Sequence, residues 1–196
     1  MKYYAGGRNA AEASRVLTVE NHGNRLAFLG ANSWGPQSDW ATETSPGAQS
    51  YNSNAIKREI AEGRQKADVV FVEYQAEETY EYTPSHNNQV QFRRTLTDGA
   101  DVVTGVQAHH PQAVEFSADG KRLILYGLGN LWFDQMFDEG VRQGLIPRHT
   151  IYQGRLIQTE LLTTMLEDYS QPRWATAQER EQILRGVFSA SGFKLP

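Results

Sequence analysis

Two short apolar runs with a helical segment between them constrain the fold of this chain more than any other feature. The first run is DVVFV at residues 68–72, and the second is DVVTG at residues 101–105. Near-continuous apolar runs of this length are typical of strands buried on both faces of a sheet. The intervening helix is predicted to begin at Ser85 and to stop at Gly99, which leaves room for a right-handed crossover. The sequence therefore predicts a βαβ unit with two parallel strands.

Antiparallel hairpins and further helices flank this predicted centre. Turn residues between β-rich runs mark hairpins, and apolar residues four apart mark helices. A last helix is predicted to begin at Thr176, where Glu179 completes a capping box. Hairpins are expected at 16–30, 113–126 and 150–162, and another helix at 54–66. The pattern predicts a mixed α/β fold with a parallel centre and hairpin additions.

Two sets of apolar side chains are expected to face the interior. In the helix that begins at Ser85, Val90 and Leu96 are the candidates for the inward face. The aromatic residues Trp132, Phe133 and Phe137 follow a glycine-containing turn, and core packing is their simplest interpretation. Both expectations place these side chains away from solvent.

The composition excludes several classes of protein. The formal net charge is −4, which disfavours nucleic acid as the partner, because neutralising its backbone needs a basic face. No apolar run approaches the ~20 residues that span a bilayer, and the first residues lack the apolar region of a signal peptide. There are no cysteines, which excludes disulfides, thiolate metal ligands and a cysteine nucleophile. A globular domain without a nucleic-acid partner or a membrane segment is therefore expected.

Polar side chains follow both strands of the predicted βαβ unit. The first strand continues into an acidic segment that contains Gln75, and the second continues into Gln107, His109 and His110. In open α/β sheets, ligands bind beyond the carboxyl ends of the strands, so both loops are expected to line one site. The acidic segment has two interpretations, a solvated loop or a set of groups for cation binding and proton transfer. Its carboxylates are Glu73, Glu77, Glu78 and Glu81.

Several segments of the chain fall, in order, into a known set of motifs. They are GGRN at 6–9 with Glu12 and Ala13, ADVV at 67–70 with the later Pro84 and Gln89, DGADVVTG at 98–105 with QAVE at 112–115, and YGLGNLWFDQ at 126–135. Together they resemble the CapA-type poly-γ-glutamate capsule biosynthesis family. The likeness extends over nearly the whole chain.

The resemblance implies a calcineurin-like metallophosphatase fold, a sheet sandwich with flanking helices and a metal site at one edge. It also implies a role in making or anchoring poly-γ-glutamate at the bacterial cell surface, outside the cytoplasm, with hydrolase-like chemistry on phosphoesters or γ-glutamyl amides. The family's N-terminal motifs precede the segment at 6–9. Residues 1–196 are therefore expected to form a single CapA-like domain that lacks its N-terminal part. The strand-like start at 2–5 would then expose an unpaired sheet edge and favour self-association.

The family's metal-binding histidines fall on altered positions in this chain. The first falls on Gln75, the second on Gln107 and the third on His109, and Glu78 lies beside the position of a family glutamate. Residues i and i+2 of an extended segment face the same side, so Gln107 and His109 are expected to face one ion and His110 to point away. Amide oxygens suit Ca²⁺ and are poor ligands for Mn²⁺, Fe²⁺ or Zn²⁺. The resemblance thus raises the expectation of a divalent metal, and the substitutions lower it.

Three interpretations of the function stay open. The leading one is a CapA-like, metallophosphatase-like protein of capsule biosynthesis whose metal site is altered or incomplete. The others are a non-catalytic module that binds an anionic polymer or a glycan, and a fragment of a longer metal-dependent hydrolase; the partner expected is an anionic polymer or a small-molecule substrate. Whether the chain is an enzyme is left open. The candidate residues are His109 and Glu78 for catalysis, Gln75, Gln107 and Asn130 for substrate, and Gln75, Gln107 and His109 for metal.

Overall fold

The computed structural model describes residues 2–194, which form two main sheets, a two-stranded ribbon and four α-helices. The strands are β1 (Gly6–Gly7), β2 (Leu17–Asn21), β3 (Asn24–Asn32), β4 (Gly47–Ala48), β5 (Val69–Thr79), β6 (Val102–Ala108), β7 (Val114–Phe116), β8 (Leu123–Leu125), β9 (Gln143–Tyr152), β10 (Arg155–Glu167) and β11 (Gln171–Trp174). The helices are α1 (Ala10–Ala13), α2 (Ser53–Lys66), α3 (His86–Asp98) and α4 (Ala177–Ala190). β1 and β4 form only a short two-stranded ribbon beside these sheets. No helix within the described residues has both the length and the apolarity needed to cross a bilayer.

Six strands form a mixed sheet at the centre of the molecule, in the order β2-β3-β5-β6-β8-β7. The strands β3, β5, β6 and β8 are parallel, and their hairpin partners β2 and β7 run antiparallel at the two edges. Because α3 connects β5 to β6, the predicted βαβ unit is confirmed. Strands covered on both faces need no polar alternation, which explains the continuous apolar runs in β5 and β6.

Each face of the central sheet packs against a different layer. On one face, Val72 of β5 lies in the larger core with Ile60 of α2 and Phe92 of α3. On the other face, the ring of Phe71 approaches His149 of β9 with 5.4 Å between centroids. Successive strand residues point to opposite faces, so the helices cover one side and the second sheet covers the other. The mixed α/β fold that the sequence pattern predicted, and the sheet sandwich with flanking helices that the family resemblance implied, are therefore confirmed.

Helix α3 follows the predicted boundaries but not the predicted inward face. The Ser85 hydroxyl accepts a hydrogen bond at the start of the helix, and Gly99 ends it with a φ of 120° that favours glycine. Leu96 is buried as predicted, whereas Val90 is 53% exposed. The prediction for Val90 is wrong because Phe92, two residues later, occupies the core, and two helical residues lie about 200° apart around the axis.

The second sheet is antiparallel, with the strand order β11-β10-β9. The turn at Gln153-Gly154 joins β9 to β10, which confirms the last predicted hairpin. Helix α4 begins after Thr176, whose hydroxyl and the Glu179 carboxylate form the predicted capping box. This helix and the sheet enclose a smaller core with β7 and β8. Its buried members are Val114, Leu123, Leu125, Leu145, Met165, Ile183 and Val187.

The start of the chain does not form the sheet edge that its composition predicted. Lys2–Ala5 form no strand, and the ring of Tyr4 packs across the central sheet against Phe28 with 5.8 Å between centroids. The edges of the central sheet are β2 and β7 instead. Self-association through residues 2–5 therefore has no structural basis, and self-association through another edge stays a prediction.

The aromatic residues after Asn130 do not lie in the core. Trp132 is 73% exposed, Phe133 is 45% exposed and Phe137 is 68% exposed. They belong to an irregular loop between Asn130 and β9, beyond the layers that bury the strands. The prediction of core packing is wrong because no sheet or helix among residues 2–194 covers this loop. Phe133 and Phe137 lie instead against the rings of His109 and Tyr80, beside the candidate site.

Candidate functional site

The candidate site lies where β5 and β6 end. The backbone N–H of His109 donates to the Thr79 carbonyl over 2.8 Å, which joins the two strand ends. The pairing of β5 with β6 is irregular between Gln75 and Thr79, and Gln107 has a φ of 94°, in the left-handed region. The regular alternation of side chains is therefore interrupted at Gln107, and the i and i+2 geometry expected for Gln107 and His109 does not apply.

Gln75 and Gln107 pair with each other. The side-chain amide of Gln75 donates a hydrogen bond to the side-chain carbonyl of Gln107. Among residues 2–194, neither of these two side-chain amides makes another hydrogen bond. The two strand ends thus lie at one edge, as the sequence predicted, and the roles of Gln75 and Gln107 as substrate or metal ligands stay predictions.

His109 is held in one orientation by Asn130. Its Nδ1 lies 2.9 Å from Oδ1 of Asn130, and the Asn130 amide nitrogen donates to the Val141 carbonyl over 2.9 Å and to Gln135 over 3.2 Å. Because those two bonds use the Asn130 N–H donors, Oδ1 is the acceptor and Nδ1 of His109 carries the proton. In the neutral imidazole, Nε2 therefore presents a lone pair, 3.4 Å from Oε1 of Glu78.

Aromatic rings surround this imidazole. Tyr80 stacks on His109 with 4.9 Å between centroids, and Phe133 lies 5.0 Å away on a tilted plane. The Tyr80 hydroxyl donates to Glu78 over 3.0 Å and accepts from the Gln135 amide over 3.0 Å. Sequence reasoning did not single out Tyr80 or Gln135. An aromatic residue directly after a buried strand and a glutamine at the end of the YGLGNLWFDQ segment were the available signals.

His110 takes a different environment from His109. Its ring lies 5.2 Å from that of Tyr82, and its Nε2 is 3.4 Å from Oδ1 of Asp138. Both ring nitrogens are buried without a hydrogen bond within the described part of the chain. A side chain at Gly140 would overlap the His110 ring, so glycine at that position makes room for it. The contacts of His110 thus separate it from the Gln75 and Gln107 pair.

The acidic residues singled out in the sequence do not form one group. Glu78 contacts His109, whereas Glu77 accepts a hydrogen bond from Asn87 over 3.0 Å. Glu73 lines a cavity of about 740 Å³ between the two sheets, on the face away from the helices. The Glu81 backbone carbonyl accepts from the buried Gln112 amide over 3.0 Å, which ties the loop after β5 to the loop after β6. Of these four carboxylates, Glu78 is the one placed to act with the imidazole.

The residues present do not fit a transition-metal site. Within residues 2–194, no group of three or more His, Asp or Glu side chains is arranged to hold a metal ion. The predicted ligands comprise one imidazole and two amides, and the two amides are engaged with each other while His109 faces Asn130 and Glu78. Mn²⁺, Fe²⁺ and Zn²⁺ bind such a set poorly, because they prefer several imidazole, thiolate or carboxylate ligands.

Comparison with known proteins assigns these motifs to a family. A family model described as bacterial capsule synthesis protein PGA_cap matches residues 1–135. The capsule biosynthesis protein CapA of Bacillus anthracis is 24% identical over 190 residues, which cover 94% of this chain and 45% of that protein. The PGA biosynthesis protein CapA of Bacillus subtilis (strain 168) is 27% identical over 146 residues, which cover 73% of this chain and 37% of that protein. The chain thus spans less than half the length of these relatives.

A solved structure shares the overall fold. A hypothetical protein from Thermus thermophilus superposes with a TM-score of 0.50 at 16% sequence identity. The alignment covers 76% of this chain and 60% of that one. Identity at this level supports a common fold and no more.

Proposed function

The chain belongs to the bacterial capsule synthesis protein family PGA_cap, and from this membership we propose that it serves capsule production by binding a γ-glutamyl polymer where β5 and β6 end. The matched residues 1–135 include the ends of β5 and β6 and the positions of His109 and Asn130. Both curated relatives are named for capsule or PGA biosynthesis. The names of these two relatives suggest a γ-glutamyl polymer as the ligand class for the site.

One observation carries the proposal. His109 is buried, Asn130 fixes its ring, and its Nε2 opens toward Glu78 at the carboxyl ends of the parallel strands. Ligands of open α/β sheets bind at this edge, and a buried imidazole with one nitrogen held and the other open can accept a proton or a hydrogen bond from a ligand. Asn130 then acts as a positioning residue rather than a substrate ligand, because its amide is used within the protein.

The amides beside this imidazole suit an amide polymer. A γ-glutamyl chain repeats an N–H donor and a C=O acceptor, and side-chain amides offer both in return. Gln75 and Gln107 use one donor and one acceptor on each other, which leaves a second N–H on Gln75 and both N–H groups on Gln107 for a ligand. We propose that the Gln75 and Gln107 side chains bind the backbone amide groups of the polymer.

Metal-dependent hydrolysis forms no part of the proposal. The described side chains at the strand ends do not make a transition-metal site, so we derive no step through a bound ion.

We place the action of the chain at the cell surface, because a capsule is assembled outside the cytoplasm. We also propose that residues 1–196 act as one domain, since α4 packs into the same core as β7 and β8 of the central sheet.

The test is the binding of defined γ-glutamyl oligomers by isothermal titration calorimetry. We expect the wild-type chain to bind, and the double variant Gln107→Ala, His109→Ala to lose about tenfold or more in affinity, because each change removes a hydrogen-bonding group. The matched control is His22→Ala with Gln65→Ala, which removes the same two side-chain types from positions away from the strand ends. Equal affinity in the double variant and the control would contradict the proposal, as would wild-type protein that does not bind.

A further inference from the structure

Gln112 is a buried amide that the proposed function leaves without a role. It opens the QAVE segment at 112–115, and its side chain is 0% exposed. The amide nitrogen donates to two backbone carbonyls of the loop after β5, that of Glu81 over 3.0 Å and that of Thr83 over 3.4 Å. Because glutamine is mostly found at the surface of proteins, a fully buried one requires a physical reason.

Stability alone does not supply that reason. The side-chain oxygen of Gln112, Oε1, is buried and makes no hydrogen bond within residues 2–194. An acceptor left in this state costs about 1–3 kcal/mol. Methionine has a similar length and no such acceptor, so it would fill the same space without this cost. A Cβ at Gly127 would lie 2.8 Å from Cγ of Gln112 and 2.6 Å from Cβ of Ala108, so glycine at 127 leaves room for both side chains.

Two backbone hydrogen bonds also join the loop after β5 to the segment after β6. The His109 N–H donates to the Thr79 carbonyl over 2.8 Å, and the Ala113 N–H donates to the Tyr82 carbonyl over 2.9 Å. Tyr80 lies between these two points. A chain held only there keeps the φ and ψ freedom of the residues in between, so these two bonds do not by themselves fix Tyr80.

The two bonds from Gln112 restrict this remaining freedom. They flank the bond to the Tyr82 carbonyl, so three successive carbonyls of the loop, at residues 81 to 83, accept from one short segment. The carbonyls on both sides of Tyr80 are then bonded as well. Because the allowed rotamers of a side chain depend on its backbone, fixing the backbone here directs the Tyr80 ring onto His109, with 4.9 Å between centroids.

We infer that Gln112 is a positioning residue for the site, whose buried amide holds the loop after β5 in the geometry that stacks Tyr80 on His109. Gln112 acts through Tyr80 and does not contact the ligand. Its effect on the binding of a γ-glutamyl polymer rests on the proposed function, whereas its effect on the Tyr80 ring does not.

The variant Gln112→Met tests the inference in the full 196-residue chain. The change removes the donors and the unpaired acceptor together, so we expect the urea midpoint to stay close to that of wild type. The Tyr80 ring lies stacked on the imidazole and shields its protons, so NMR of the His109 Cε1–H reports the stacking. We expect this signal in Gln112→Met to move toward its position in Tyr80→Leu, the reference variant that lacks the ring.

The matched control is Gln91→Met. Gln91 lies in α3, and its amide nitrogen is buried without a hydrogen bond in the part of the chain that the structure describes. This change removes the same kind of side chain and the same kind of unpaired group, so the His109 signal should stay as in wild type. In calorimetry with defined γ-glutamyl oligomers, Gln112→Met should bind about threefold or more weakly, the scale of a lost aromatic contact, and Gln91→Met should bind like wild type.

The outcomes separate the inference from the proposed function. An unchanged His109 signal in Gln112→Met would overturn the inference, as would an equal movement in Gln91→Met. If Gln112→Met does not fold, Gln112→Asn, which keeps an amide on a side chain shorter by one methylene, is expected to move the signal in the same way and is read by the same criterion. A moved signal in a chain whose wild type binds no oligomer would support the positioning role and overturn the proposed function. A moved signal with unchanged oligomer affinity would overturn the part of Gln112 in binding.

Discussion

Glu59 of α2 is a buried carboxylate whose ionisation should make the stability of the chain depend on pH. The residue is 8% exposed, Oε1 accepts from the Gln49 amide over 2.6 Å, and Oε2 has no hydrogen bond within residues 2–194. Burial raises the pKa of Glu59 from 4.5 to about 7, and the Gln49 hydrogen bond offsets only part of this effect. The substitution Glu59→Gln keeps the shape and the bond from Gln49 but removes the charge.

The sign follows from proton binding. Between pH 4.5 and about 7 the folded state holds the Glu59 proton more tightly than the unfolded state does. The stability that this proton contributes is fully present below pH 4.5, falls as the pH rises toward 7, and is absent above it. A shift of this size corresponds to about 3 kcal/mol, and partial access of solvent reduces the expected effect to about 1–2 kcal/mol.

Urea unfolding followed by circular dichroism at about pH 4.5, 6 and 8 measures this effect. We expect Glu59→Gln to gain about 1–2 kcal/mol relative to wild type over this range of pH, a shift in midpoint of about 0.5–1 M urea. The new amide N–H lacks a partner at every pH, so only the change with pH is diagnostic. Glu62→Gln, on the exposed face of the same helix, is the control and should follow wild type. A constant separation between the wild-type and Glu59→Gln curves across the range would refute the reasoning.

Four further predictions concern packing, capping, the imidazole and metal. Gly105→Ala should cost about 3 kcal/mol or more in urea unfolding, because the new Cβ would overlap the Tyr126 carbonyl oxygen; an unchanged midpoint would contradict the packing described. Thr176→Ala should cost about 1 kcal/mol through loss of the α4 capping box, and Thr176→Ser should restore most of it. Asn130→Ala should convert the single Nδ1–H tautomer of His109 into a mixture, visible in ¹⁵N NMR of the ring, whereas a spectrum like that of wild type would show that Asn130 does not fix the ring. Excess Mn²⁺ should leave the melting temperature unchanged, and a clear rise would mean that a metal site forms after all.

The fold was largely predictable because its signals are local. The apolar runs at 68–72 and 101–105 became the parallel strands β5 and β6, and Ser85 and Thr176 start the helices α3 and α4. Caps, turns and strand periodicity depend on residues a few positions apart. The error at Val90 arose within such a pattern, since a single apolar residue does not say which face of a helix the core will take.

The site was less predictable because its contacts join distant segments. That Gln75 and Gln107 lie at one edge was expected from the strand ends, but their pairing with each other was not, and the role of Asn130 in holding His109 depends on a contact between residues 21 positions apart. The exposed rings of Trp132 and Phe137 were expected in the core, because hydrophobicity alone does not show whether a layer will cover a loop.

The sequence by itself determined the α/β class, the order of the parallel strands within the βαβ unit, the hairpins and the edge of the sheet where polar residues gather. These follow from short-range sterics and from the alternation of apolar residues. Only the tertiary structure decided which nitrogen of His109 is open, that Gln107 leaves the regular strand geometry, and that aromatic rings pack around this imidazole. Such features depend on which distant segments meet and on what each contact excludes from water, and no local pattern encodes that.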